Sequence, residues 1–227
     1  MVASPLVTIQ RIYAYSYQRR LETRASYFPP ESIAEWDASM KGERDPPTKG
    51  RMGRITKSIV RESGVDDAHR VMLPAYVYES GRKGEEKAEL TRQTMERLES
   101  TFDEESRVRI MERCGRLCCG PTHQKVRKAL FQESNSLEEF LEKLNEIEGG
   151  KAHYRITEQG AIIVEYPACL CGQVKDAPER FQSHTYCMCS VGFNKELFET
   201  VLGRKVDVIL VTSAICDGGP CRLVVRL

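Results

Sequence analysis

No apolar run in the 227-residue chain approaches the ~20 residues that a helix needs to cross a bilayer, so no membrane span is expected. Charge of one sign is also missing. The 34 Lys and Arg face 33 Asp and Glu for a formal net charge of +1, and no global field draws the chain to nucleic acid or a membrane surface. Histidine is scarce: there are four, none at the spacing of a zinc protease helix. A phosphate-binding glycine loop, a dinucleotide fingerprint and a nucleophile elbow are all absent, which removes common enzyme classes without removing catalysis. The opening "MVASPLVTIQRIYAYSYQRR" places a short apolar run before its first basic residue, the reverse of a secretory signal, so a cytoplasmic location is expected.

Cysteine is abundant. Nine cysteines in a reducing compartment point to metal binding or thiol chemistry rather than a disulfide framework. Two pairs share one spacing: Cys169 and Cys171 in "ACLCG", and Cys187 and Cys189 in "YCMCSVGF".

The first 50 residues hold the single tryptophan, Trp36, and run into "KGERDPPTKGRMGR" over 41–54, whose adjacent prolines suit a linker or surface arm. The basic excess from Lys41 to Arg61 reads as a solvated face. We therefore divide the chain into an N-terminal arm and peripheral segment, 1–84, and a cysteine-rich small-molecule-binding domain, 85–227. Helix formers fill 85–100, and a second helix follows Asp103 as its cap. On that helix Val108, Met111, Cys114 and Cys118 share one face. A third helix runs from about His123 to Gln132. A fourth opens with Ser136 and Glu139 in capping-box register and stops at Gly149 and Gly150. The period then becomes alternating. "AHYRIT" and "AIIVEY" flank "EQG" as a hairpin, with Gly160 in the positive-φ position. A helix near 193–202 ends at Gly203, and "KVDVILVTSAI" and "RLVVRL" close the chain as strands around "CDGGPC". The expected class is α+β, with N-terminal helices packed on a C-terminal antiparallel sheet of ββαββ order.

Two short chelating pairs joined by a loop are an economical way to surround a tetrahedral ion, which makes Cys169, Cys171, Cys187 and Cys189 the expected metal ligands. Each pair has one intervening residue where zinc sites usually have two or more. Packing offers no reason for the repeated spacing. A helix starting near Phe193 would aim its free N–H groups at Cys189 and favour the thiolate. Cys114 and Cys118 fit core packing, ligation or catalysis. His184 and His123 lie near cysteines as candidate bases or ligands, His153 and Cys119 read as structural, and Cys216 and Cys221 bracket a turn that turn chemistry already explains.

The stretch "YCMCSVGFNKELFETVLGRKVDVILVTSAICDGGPCRLVV", with "MERCGRLC" upstream, resembles the cysteine-rich superfamily of 4-vinyl-reductase-type domains and L-2-amino-thiazoline-4-carboxylic acid hydrolase-like proteins over roughly 105–227. The resemblance implies a small-molecule pocket between helices and sheet, with metal beside it. The extra cysteine pairs depart from the hydrolase pattern. The reading adopted is a cysteine-ligated, zinc-binding small-molecule domain. Its enzymatic form hydrolyses a C–N or C–S bond, with Cys114, Cys118 and His184 as the catalytic candidates. Two alternatives stay open: a non-catalytic sensor with a closed structural zinc site, and an iron–sulfur redox protein.

Overall fold

The computed structural model describes residue 47, residues 49–78 and residues 83–227. The arm expected over the first 46 residues, with Trp36, lies outside the described residues. Seven α-helices and one four-stranded antiparallel sheet make the described part an α+β structure with its helices mostly N-terminal. None of these helices is long and apolar enough to cross a membrane.

The helices are α1 (Gly50–Ser63), α2 (Val65–Tyr78), α3 (Gly84–Thr101), α4 (Glu104–Cys118), α5 (Pro121–Gln132), α6 (Leu137–Glu148) and α7 (Met188–Leu202). The strands are β1 (His153–Ile156), β2 (Ile162–Tyr166), β3 (Asp207–Thr212) and β4 (Cys221–Arg226). Across the sheet they run β1-β2-β4-β3, so the last strand lies inside and β3 forms an edge.

Local chemistry places most boundaries. Asp103 accepts from the Ser106 N–H at 2.8 Å to cap α4, and the Ser136 hydroxyl accepts from the Glu139 N–H at 3.1 Å to cap α6. Glu139 reaches one residue further back than a capping box requires, to the Asn135 N–H at 2.7 Å. Gly149 and Gly203 end α6 and α7 in the left-handed region, and Gly160 turns the β1–β2 hairpin at φ 78°.

Two apolar cores result. One gathers Met52, Ile55 and Ile59 of α1 with Val71 and Met72 of α2, Met95 and Leu98 of α3, and Ile110, Met111 and Cys114 of α4. The sequence boundary at 84/85 falls after the first residue of α3, and residues on both sides of it contribute to this core. The second core lies between the sheet and α6 and α7. Tyr154, Ile162, Val164, Leu223 and Val225 alternate inward to meet Phe140, Leu144, Leu197 and Phe198. Each such side chain contributes roughly 1.5–3 kcal/mol on burial. Asn145 of α6 covers the edge strand β1, donating to the Tyr154 carbonyl at 2.9 Å and accepting from its N–H at 2.7 Å.

Helices α4 and α7 join the two cores and cross with almost no gap. A Cβ at Gly192 would stand 1.8 Å from the Glu112 carbonyl oxygen, and one at Gly115 would stand 1.9 Å from the Cys189 carbonyl oxygen. Ion pairs flank the crossing. Arg116 donates to Glu196 at 2.9 Å and to Glu199 at 2.9 and 3.0 Å, and Lys195 pairs with Glu112 at 3.0 Å.

Burial opposes ionisation of Glu199, but hydrogen bonds from Arg116 and Lys205 outweigh it and bring its pKa from 4.5 to about 2. A depressed folded-state value adds stability above the unfolded value and loses it as pH falls through the folded one. Stability should therefore decline between about pH 4.5 and pH 2 by up to about 3 kcal/mol from this group. Denaturant melts of wild type and Glu199→Gln across that range check it. The variant should start less stable and show a shallower decline.

Candidate functional site

Where α1, α4 and α7 meet the loop after β2, the chain leaves a half-open cavity of about 190 Å³. Six of its fourteen lining residues are cysteines: Cys118, Cys169, Cys171, Cys187, Cys189 and Cys221. Tyr166, Tyr186 and Phe193 supply aromatic walls, and Arg51 supplies a fixed positive charge. All four expected metal ligands thus reach one cavity. Among the described residues, however, no three His, Cys, Asp or Glu side chains are arranged to hold one ion as they stand.

The loop sulfurs are held individually. Cys171 Sγ lies 2.8 Å from the Tyr186 hydroxyl, whose phenol burial pushes well above its ordinary range. Cys169 and Cys189 are pushed up by burial to about 11 and about 12, and Cys221 is also raised by burial while its sulfur accepts from the Ala214 N–H at 3.2 Å. The thiolate expected at Cys189 from a helix start near Phe193 is corrected. The helix begins at Met188, directly after a 3₁₀ turn over Thr185–Cys187, so Cys189 sits within its first turn. Gly192 lies inside this helix, and the α4 backbone occupies the space where a side chain would go.

Cys118 behaves differently. It sits at the last turn of α4, where the helix dipole disfavours an anion. Even so, a hydrogen bond from Cys114, one turn earlier on the same face, lowers its pKa to about 6 against the cost of burial, with Arg51 and Arg54 contributing charge. Cys114, buried and donating that bond, is raised well above the thiol range. Of the two, Cys118 is the sulfur that lines the cavity, and it is the one whose ionised form these partners favour.

Arg51 completes this arrangement from an unexpected direction. It lies in the first turn of α1, within a stretch that reads in sequence as a solvated basic face. Burial works against its charge, but the acidic groups of Cys189, Tyr186, Cys171 and Cys118 more than reverse that and raise its pKa. The signal available was the apolar spacing of Met52, Ile55 and Ile59, which turns one face of α1 to the core and carries Arg51 to its edge.

The histidines stand apart from the cavity lining. His184 Nε2 is 3.0 Å from Asp217 Oδ2, and that bond raises its pKa. His123 packs edge-on to Phe193 with ring centroids 6.0 Å apart and contacts Arg127 at 3.0 Å. His153 is exposed on β1, and Cys119 is buried in the second core.

Fold and site together define an α+β domain built around a small cavity lined by six cysteines and one arginine. The chain belongs to a family of unknown function, DUF6144, whose family model matches residues 49–225, from the start of α1 to the end of the sheet. No curated protein matches the chain.

Proposed function

We propose that the cavity binds a small molecule carrying a carboxylate, and that Cys118 is the nucleophile in hydrolysis of a C–N or C–S bond of that molecule. One observation carries this reading: the Cys118 sulfur and the Arg51 guanidinium line the same apolar cavity of about 190 Å³. Arg51 offers the planar pair of donors that matches a carboxylate, and the volume admits a molecule of a few heavy atoms beyond it. The Cys118 thiolate attacks the electrophilic carbon. Cys114, no longer bound to an anion, gives its proton to the departing nitrogen or sulfur. The Cys114 thiolate then takes a proton from water as the resulting hydroxide attacks the intermediate and expels the Cys118 thiolate, which restores the starting pair with its one proton.

The resemblance to L-2-amino-thiazoline-4-carboxylic acid hydrolase-like proteins supplies a first probe, since that compound carries a carboxylate and a carbon bonded to nitrogen and sulfur. Wild type should consume it, followed by chromatography. Cys118→Ser should reduce turnover at least 10²-fold with KM little changed, and Arg51→Gln should act mainly on KM. Unchanged turnover in Cys118→Ser would refute the nucleophile.

A second reading rests on the convergence of Cys169, Cys171, Cys187 and Cys189 on this cavity. It is a metal-binding pocket in which a modest closing of the loop over 167–172 brings the sulfurs onto one zinc ion or an iron–sulfur cluster. Metal and sulfide analysis of anaerobically purified, reduced protein separates the forms. Stoichiometric zinc supports a zinc site, iron with sulfide supports a cluster, and less than a tenth of an equivalent of either removes this reading.

A further inference from the structure

The loop between β2 and α7 also builds an open groove of about 500 Å³, which the chemistry above does not use. One wall comes from this loop, through Pro167, Lys175, Pro178 and Arg180, and the other from the β3–β4 turn, through Ile215 and Gly218. Ala168, Cys169 and Ile215 line both the groove and the cysteine-lined cavity. The two recesses share a wall.

The loop is tied down at both ends of the stretch that carries its cations. The Val174 and Lys175 N–H groups donate to the Cys171 carbonyl at 3.0 and 2.9 Å, and the Phe181 N–H donates to the Ile215 carbonyl at 2.9 Å. Between these ties the Ala177 N–H donates to the Val174 carbonyl at 3.0 Å, and the side chains of Val174 and Phe181 are buried in the first core. Lys175 and Arg180 are exposed, yet each hangs from backbone anchored to a residue of the cavity lining, Cys171 or Ile215. The groove is therefore held in shape, with Pro178 stiffening the span between its two cations.

Among the described residues, no ion pair or hydrogen bond engages Lys175 Nζ or the Arg180 guanidinium. Glu179 is the one carboxylate in the groove lining, and Asp176, between the cations in sequence, is not part of that lining. Asp217, next to Gly218, is already engaged by His184 Nε2 at 3.0 Å and by the Ser213 N–H at 2.8 Å. Arg180 lies across Gly218, whose φ is 75° and where a Cβ would stand 2.1 Å from Nη2. Glycine there serves both the turn and the seat of the guanidinium. Two unpaired cations on a held loop, against one carboxylate, suit a dianion. A phosphate matches them better than a single carboxylate does, because its three oxygens can meet a guanidinium fork and an ammonium at once.

We infer that the groove is a phosphate-binding site for a small phosphorylated molecule, whose phosphate sits between Lys175 and Arg180 and whose body lies against Cys169. The site does not depend on the hydrolytic reading of Cys118. A molecule seated here shields Cys169 from the groove side and leaves Cys118, which lines only the cavity, as it was.

The test titrates inorganic pyrophosphate into the reduced full chain by isothermal calorimetry at fixed ionic strength. Wild type should bind at a single site. Lys175→Gln and Arg180→Gln should each weaken binding by about tenfold or more and, since both side chains are exposed, should melt as wild type does. Arg51→Gln and Cys118→Ser should bind as wild type does, which separates the groove from the proposed hydrolytic site. Citrate should bind about tenfold or more weakly than pyrophosphate, because carboxylates present the wrong charge geometry. Phenyl phosphate, which adds a body to the phosphate, should slow alkylation of Cys169 by iodoacetamide and leave the rate at Cys118 unchanged, read by peptide mapping. No binding to wild type, undiminished binding by Arg180→Gln, or loss of binding in Arg51→Gln instead would overturn the proposal. So would citrate binding as tightly as pyrophosphate, or Cys169 alkylated equally fast with and without phenyl phosphate.

Discussion

Gly192→Ala is expected to lower the melting temperature by about 6–12 °C, the largest effect of any single methyl group on the described surface between α4 and α7. The added Cβ would lie 1.8 Å from the Glu112 carbonyl oxygen and 2.5 Å from its carbonyl carbon, both backbone atoms that no rotamer change can move. Relief requires the helices to separate. Overpacking in cores costs about 1–3 kcal/mol, and a clash against main chain belongs at or above the upper end. For a domain of this size each kcal/mol corresponds to about 2–4 °C. Gly115→Ala should do the same from the opposite helix, its Cβ lying 1.9 Å from the Cys189 carbonyl oxygen. Gly172→Ala is the control: its Cβ meets nothing within 4 Å, so it should melt within about 2 °C of wild type. Thermal unfolding followed by circular dichroism checks all three. A Gly192→Ala protein that melts like wild type would show that α4 and α7 do not approach this closely. The consequence reaches the site, since this crossing sets Cys118 of α4 against Cys189 of α7 on one cavity wall.

The second large effect is electrostatic. Cys114→Ala removes the hydrogen bond that contributes most to the low pKa of Cys118, and Arg51→Leu removes the charge that contributes most to it. With either change the sulfur has less reason to stay ionised, and it takes up a proton instead of remaining a poorly compensated buried charge. Alkylation of Cys118 by iodoacetamide at pH 7 should slow by about tenfold in Cys114→Ala, as its thiolate fraction falls toward that of an ordinary thiol. Arg51→Leu should slow it by a smaller factor, because Arg54 and the Cys114 bond persist. Peptide mapping assigns the adduct, which matters because Cys216 also ionises near pH 6. Equal rates in wild type and Cys114→Ala would remove the hydrogen-bonded pair from the account.

Much of the helix and hairpin framework was legible because its signals are local. Asp103 and Ser136 cap where a short side chain precedes a helical run, Gly149 and Gly203 stop helices by taking φ of 57° and 67°, and alternation marks the hairpin around Gly160. The first core was less legible. Its α1 helix reads as "GRMGRITKSIVRES", where interspersed basic residues mask an apolar face of Met52, Ile55 and Ile59. The true start of α7 was hidden for a different reason. Gly192 disfavours helix by propensity, and only the neighbouring Glu112 backbone, 80 positions away in sequence, explains why glycine is required there.

The candidate site divides along the same line. Cys114 and Cys118 were readable as partners because positions four apart on a helix face one another. Their inequality was not readable, since it depends on Arg51 and Arg54 from another helix. Cys216 looked like part of a turn, and it lies in one, its N–H donating to the Ser213 carbonyl at 3.3 Å. The paired spacing of Cys169, Cys171, Cys187 and Cys189 pointed to ligands of one ion, and the structure places all four along one cavity. Spacing carries no information about whether sulfurs meet one ion or line a wall, because that depends on how two distant loops close.

The central claim is that Cys118 faces the cavity as a thiolate at neutral pH. The most direct measurement is the pH dependence of its alkylation rate in the reduced wild-type protein, followed residue by residue from pH 4.5 to 9.5. The rate should rise through a midpoint near pH 6 and then level off. A rate still climbing through pH 8.5, with no inflection near 6, would contradict it.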